Sequence, residues 1–106
     1  MLVLLDECVP RSLRMELPEQ DVQAVPDMGW ASIENGALLR LAAGRFDVFV
    51  TTDQRLSYQQ NAMDIGIAIV VLVAQRNKLE FLRPLIPELR EALLQIRAGE
   101  VRRIGV

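Results

Sequence analysis

The stretch Asp47-Val48-Phe49-Val50-Thr51-Thr52-Asp53-Gln54, "DVFVTTDQ", reads as a buried strand that runs straight into two hydroxyls and an acid. The first residues, "MLVLLDE", repeat the pattern: Leu2 to Leu5 are continuously apolar, and Asp6 and Glu7 follow. Unbroken apolar runs of this length fit strands of a parallel sheet covered on both faces. In open α/β sheets, ligands bind beyond the carboxyl ends of strands, where the strand order switches. If the first and third strands are neighbours, Asp6 and Asp53 share that crevice.

Working outward, Pro10 suits the first turn of a helix that carries Leu13 and Leu17 and is stopped by Pro18. Asp21 to Val25 reads as a second strand, followed by the loop Pro26-Asp27-Met28-Gly29-Trp30. The polar residues from Ser32 to Asn35 are expected to cap a helix through Leu38, Leu39, Leu41 and Ala42 that stops at Gly44. A short helix is expected over Gln54 to Asn61, and a β-branched fourth strand over Ile67 to Leu72. Asn77 and Glu80 resemble a capping pair, and Pro84 and Pro87 divide the last helical region in two. Val101 to Val106 returns as an edge strand. Alternating strands and helices predict one α/β domain over residues 1–106, a three-layer α/β/α sandwich with a mostly parallel central sheet.

Composition narrows the chemistry. The chain has 106 residues, 51% apolar and 25% charged, an ordinary globular balance. The longest apolar run, Ile65 to Ala74, falls far short of the ~20 residues that span a bilayer, so no membrane association is expected. The start has no basic segment, and Asp6 interrupts its apolar run, so no signal peptide is expected. A single cysteine, Cys8, forms no internal disulfide and points to a reducing cytoplasm. A net charge of −2 disfavours charge-driven binding to bulk nucleic acid, although it leaves room for a few phosphates held locally. There is no histidine, which removes Ser-His-Asp and Cys-His catalysis, and the only lysine is Lys78. Carboxylates, arginines and hydroxyls remain, and chemistry built from them usually employs a hard cation such as Mg²⁺ or Mn²⁺.

Two carboxylates ~5 Å apart repel by roughly 3 kcal/mol at an effective dielectric near 20. Asp6, Asp53 and Glu7 are therefore expected to bind a cation, share a proton or splay into solvent. A divalent ion resolves the repulsion, with Asp6 and Asp53 as its ligands and the Thr51 and Thr52 hydroxyls bonding the carboxylates. Taken singly, each acid is more economically a helix cap or turn former; the pair favours a site. Arg11, Arg14 and Arg55 follow the acids closely and are candidates for substrate phosphates, against the blander reading of a solvated helix face. Cys8 is read as a packing residue beside the site, and Trp30 as a core or loop anchor rather than a base-stacking platform.

Together, "LLDECVP", "GWASIENGALLRLA" and "VFVTTDQ" resemble blocks of a family of small PIN-like domain proteins, compact bacterial relatives of VapC-type toxins. The resemblance runs across nearly the whole chain, in the family's order. It implies a PIN-like α/β/α fold whose acids hold magnesium or manganese for hydrolysis of RNA phosphodiesters. Asp6 matches the acid after the first strand, Glu7 its companion, and Asp53 the acid of the "TTD" block. Where many members place an aspartate at the start of the second helix, this chain reads Ile33-Glu34-Asn35-Gly36, and Asn35 takes that place with Glu34 one residue earlier. Asparagine can ligate a hard cation through its carbonyl but adds no charge. Toxin–antitoxin operons and dimers are common in the wider group, so the resemblance also implies a small antitoxin protein and a homodimer.

The leading expectation is thus a metal-dependent endoribonuclease, with Asp6, Asp53, Glu7 and Glu34 catalytic and Arg11, Arg55, Thr52 and Asn35 against the substrate. The alternative is a PIN-like interaction module with a weakened site, favoured by Asn35 and the acidic balance. A receiver-type phosphoacceptor is disfavoured, because the fourth strand runs into Val73-Ala74 and Lys78 is poorly placed for its lysine.

Overall fold

Leu2–Leu5 (β1) lies between two parallel partners, which explains why three of its four residues are fully buried. On one side Leu2–Leu5 pairs with Asp21–Ala24 (β2), and on the other Val3, Leu4 and Leu5 pair with Val48, Phe49 and Val50 of Val48–Thr51 (β3). Ala68–Val73 (β4) and Val101–Gly105 (β5) extend the sheet to the order β2-β1-β3-β4-β5, all parallel. The computed structural model describes residues 1–54 and 58–105. Among these are four α-helices: Asn35–Ala43 (α1), Tyr58–Ile65 (α2), Leu79–Leu82 (α3) and Ile86–Gln95 (α4).

Side chains alternate along each strand, and the core divides accordingly. Val3, Leu5, Val48 and Val50 pack with Leu13, Leu17, Leu89 and Leu93. Leu4, Phe49, Ile69 and Val71 pack with Leu38, Leu39 and Ala42 of α1 and Ala62 of α2. Trp30 joins this second cluster as an anchor, edge-on to Phe46 with ring centroids 6.1 Å apart. Exposed ion pairs, Arg83–Glu16 and Arg90–Glu19, each 2.8 Å, fasten the last helical region to the first crossover. No helix among the described residues is long and apolar enough to cross a membrane.

Several local expectations change. The segment between Pro10 and Pro18 forms a 3-10 helix, Arg11–Glu16, rather than an α-helix; only seven residues separate the two prolines, and Leu13 and Leu17 are both buried within that short span. β2 ends at Ala24 because Val25 opens a 3-10 turn with Pro26, which has no amide for a ladder. No side chain caps α1 or α3: Glu34 and Lys78 occupy the N-cap positions in extended backbone without a capping hydrogen bond, and Ser32 instead sits at φ 70°. The division at Pro84 and Pro87 is as expected, with a 3-10 turn, Arg83–Leu85, between α3 and α4. At the end of β5, Gly105 has φ +95°, and any Cβ there would collide with the Val73 carbonyl oxygen. Val106 lies outside the described residues.

Candidate functional site

β1 and β3 are adjacent, and the chain departs from them in opposite directions across the sheet, so their carboxyl ends flank the switch in strand order. Asp6, directly after β1, continues the ladder: its amide donates to the Val50 carbonyl at 2.9 Å. Its own carbonyl accepts from the Val9 amide at 2.9 Å, which turns the chain back over the sheet end. The Asp6 side chain is thereby buried, with 7% of the residue exposed.

That carboxylate is well supplied with donors. Oδ1 accepts from the Glu7 amide at 2.8 Å, and Oδ2 accepts from the Thr51 hydroxyl at 2.7 Å. The Cys8 thiol lies 3.5 Å from the same Oδ2, a weak third donor. Thr51 is fully buried at the end of β3, and its Oγ1 also accepts from the Asp53 amide at 3.0 Å. One hydroxyl therefore joins the acid of β1 to the backbone that carries the acid of β3. The Thr52 hydroxyl donates to the Cys8 sulfur at 3.0 Å, a second link between the two strand ends.

These ends open on a cavity of about 390 Å³. Asp6, Glu7, Asn35, Thr52 and Asp53, all candidates from the sequence, line it. Cys8 lines it as well, while also packing against the apolar cluster beneath. Asn77, from the loop after β4, completes the wall. Sequence reasoning assigned Asn77 to a helix cap; its signal was its position just beyond a strand carboxyl end, the same logic that singled out Asp53.

The remaining described candidates, Glu34, Arg11 and Arg14, do not line it. Glu34 is exposed at the N-cap position of α1. Arg11 pairs with Asp27 at 3.3 Å, and Arg14 reaches the other oxygen of the same carboxylate at 3.7 Å. Arg55 lies outside the described residues, as do residues 56 and 57, whose amides the capping reading of Asp53 would invoke.

The donor types of the lining fit a hard cation: three carboxylates (Asp6, Glu7 and Asp53) and two amide carbonyls (Asn35 and Asn77), with no imidazole. Magnesium commonly keeps several waters and takes only one or two protein carboxylates, which is what Asp6 and Asp53 provide. Among the described residues, however, no three acidic or thiol side chains converge closely enough to form a metal cage.

Thr51→Val tests the link between the strand ends. Valine keeps the shape but removes the hydroxyl that donates to Asp6 Oδ2 and accepts from the Asp53 amide, leaving Oδ2 the weak Cys8 thiol. A loss of about 2 kcal/mol is expected in denaturant unfolding, with most of it recovered in Thr51→Ser. Comparison with family models, curated proteins and solved structures returns no match to this chain, so the reading of the site rests on its own residues.

Proposed function

We propose that this protein is a divalent-cation-dependent endoribonuclease of PIN-like type, its sheet and helices forming the three-layer α/β/α sandwich of that group. The observation that carries the reading is the meeting of Asp6 and Asp53, from the ends of neighbouring parallel strands, on one cavity at the switch point. Asp6 and Asp53 would hold Mg²⁺ or Mn²⁺, aided by the Asn35 carbonyl. The cation supplies Lewis-acid activation of water and of the phosphoryl oxygens. Thr51 and the Glu7 amide fix the orientation of the Asp6 carboxylate, and Glu7, exposed and lining the cavity, would orient an attacking water. A small antitoxin protein and a second copy of the chain are the partners that the family resemblance implies.

The test is incubation of purified protein with single-stranded RNA and Mn²⁺, beside Asp53→Ala. Cleavage should require the metal, stop with EDTA and fall at least ~100-fold in the variant, since even groups that merely support a metal ligand contribute 10–100-fold. Cleavage indifferent to EDTA and to the substitution rules the proposal out.

A second reading, a PIN-like interaction module with a weakened site, is favoured by two observations: Asn35 stands where an acid would add charge, and no three-acid cage forms among the described residues. Calorimetry separates the two readings. Tight Mn²⁺ binding lost in Asp53→Ala supports the nuclease, and no binding supports the module.

A further inference from the structure

We infer that single-stranded RNA runs from the cavity across the carboxyl ends of β4 and β5, its phosphates held by Arg76, Lys78 and Arg103; the inference rests on the nuclease reading for the identity of the polyanion. Two independent placements carry it. Arg76 and Lys78 flank Asn77, which lines the cavity, and both are exposed. Arg103, in register with Val71 and through it with Thr51, donates from Nη2 to the Gln54 side-chain oxygen at 3.0 Å, one residue beyond Asp53.

Charge pairing then gives the surface a direction. On the β1–β2 side of the cavity, Arg11 and Arg14 are both occupied by Asp27. On the far edge of the sheet, Arg102 is occupied by Glu100 at 2.6 Å, and this hydrogen bond holds the Glu100 carboxyl below its usual range. Arg76, Lys78 and Arg103 have no carboxylate partner among the described residues. Glu7 and Glu34, both exposed, lie on the β1–α1 side. A phosphate chain leaving the cavity therefore meets two exposed acids in one direction, and in the other three cations without a carboxylate partner among the described residues beside one exposed acid, Glu80. A guanidinium held by a neutral amide keeps its full charge and its remaining N–H donors for phosphate. The net charge of −2 does not oppose this, because affinity for a short strand depends on the few cations it touches.

The experiment measures anisotropy of a short fluorescein-labelled single-stranded RNA of mixed sequence, with EDTA present so that binding is read without cleavage. The combined variant Arg76→Gln, Lys78→Gln, Arg103→Gln should bind at least ~10-fold more weakly. The salt dependence of log Kd should flatten by about 2, at ~0.7 for each phosphate no longer neutralised. Arg103→Lys should keep most of the affinity, and Arg11→Gln with Arg14→Gln should leave it unchanged. All the altered side chains are exposed, so melting temperatures should match wild type and exclude misfolding. Unchanged affinity in the combined variant overturns the inference, as does an equal loss in the Arg11/Arg14 variant or equally effective displacement of the RNA by polyglutamate. Wild-type cleavage in Mn²⁺, run in parallel, keeps the two proposals apart. Cleavage with unaltered binding by the combined variant sinks the track alone, while charge-dependent binding without cleavage sinks the nuclease alone.

Discussion

Asp6→Asn is expected to abolish metal-dependent RNA cleavage while leaving the fold intact. Asp6 is buried, and its partners are a hydroxyl, an amide and a thiol; none is a cation. Asparagine is nearly isosteric, so its carbonyl can keep the Glu7 amide and its NH₂ can face the Thr51 oxygen. What changes is charge. Hydrogen bonds to a charged acceptor contribute ~1.5–3 kcal/mol against ~0.5–1.5 for neutral ones, so the substitution weakens the local network. It also relieves whatever repulsion the Asp6 charge exerts on Glu7 and Asp53, an effect of opposite sign that falls off with their separation. The two terms oppose one another, and unfolding free energy should fall by no more than about 2 kcal/mol from wild type. On the proposed reading hydrolysis should fall by more than ~100-fold, because Asp6 would be a metal ligand and not merely a supporting group. Paired measurement of melting and Mn²⁺-dependent cleavage checks this. Wild-type cleavage by a folded Asp6→Asn protein would remove Asp6 from the site.

Phe49→Ala should have the opposite profile, with stability lost first. Phe49 is fully buried at the centre of β3, packed with Leu4, Ile69, Leu38 and Leu39. Truncating such a ring costs ~3–5 kcal/mol through lost transfer energy and the cavity left behind. That is a large part of the ~5–15 kcal/mol that holds a domain of this kind together. At roughly 4 °C or more per kcal/mol, the melting temperature should fall by at least about 12 °C. Phe46, 8% exposed and edge-on to Trp30, should tolerate alanine better, since its site borders solvent. A Phe49→Ala melting curve close to wild type would mean that β3 is not the packed centre described above.

The alternating order and the three apolar strands could be read from sequence because their residues are buried on both faces, leaving runs such as Val48-Phe49-Val50 without interruption. The adjacency of β1 and β3, written only as a condition from the sequence, is what brings Asp6 and Asp53 to one cavity. The local errors have a common cause. Helix starts at Glu34 and Lys78 are set by packing of the helices on the sheet, so the nearby polar side chains that suggested caps go unused. The partner of Arg11 is Asp27, on the far side of β2, and no spacing rule along the chain links them. Asn77 was missed for a similar reason, since a neutral amide in a loop acquires meaning only when the loop folds over the strand ends.

The hydroxyl of Thr51 bonded to Asp6 spans 45 residues of chain. Closing a loop of that length comes with an entropic cost that local helix formation avoids, so β1–β3 docking belongs to the slower events of folding. Before that docking, Asp6 has neither its ladder partner at Val50 nor the hydroxyl that orients it. A one-residue slip in register would turn Thr51 to the opposite face and separate the two acids. The cavity thus reports on its own fold: a chain still being made, or one misregistered at its centre, has the acids but not the cavity, and on the proposed nuclease reading would stay inactive until the sheet is correct.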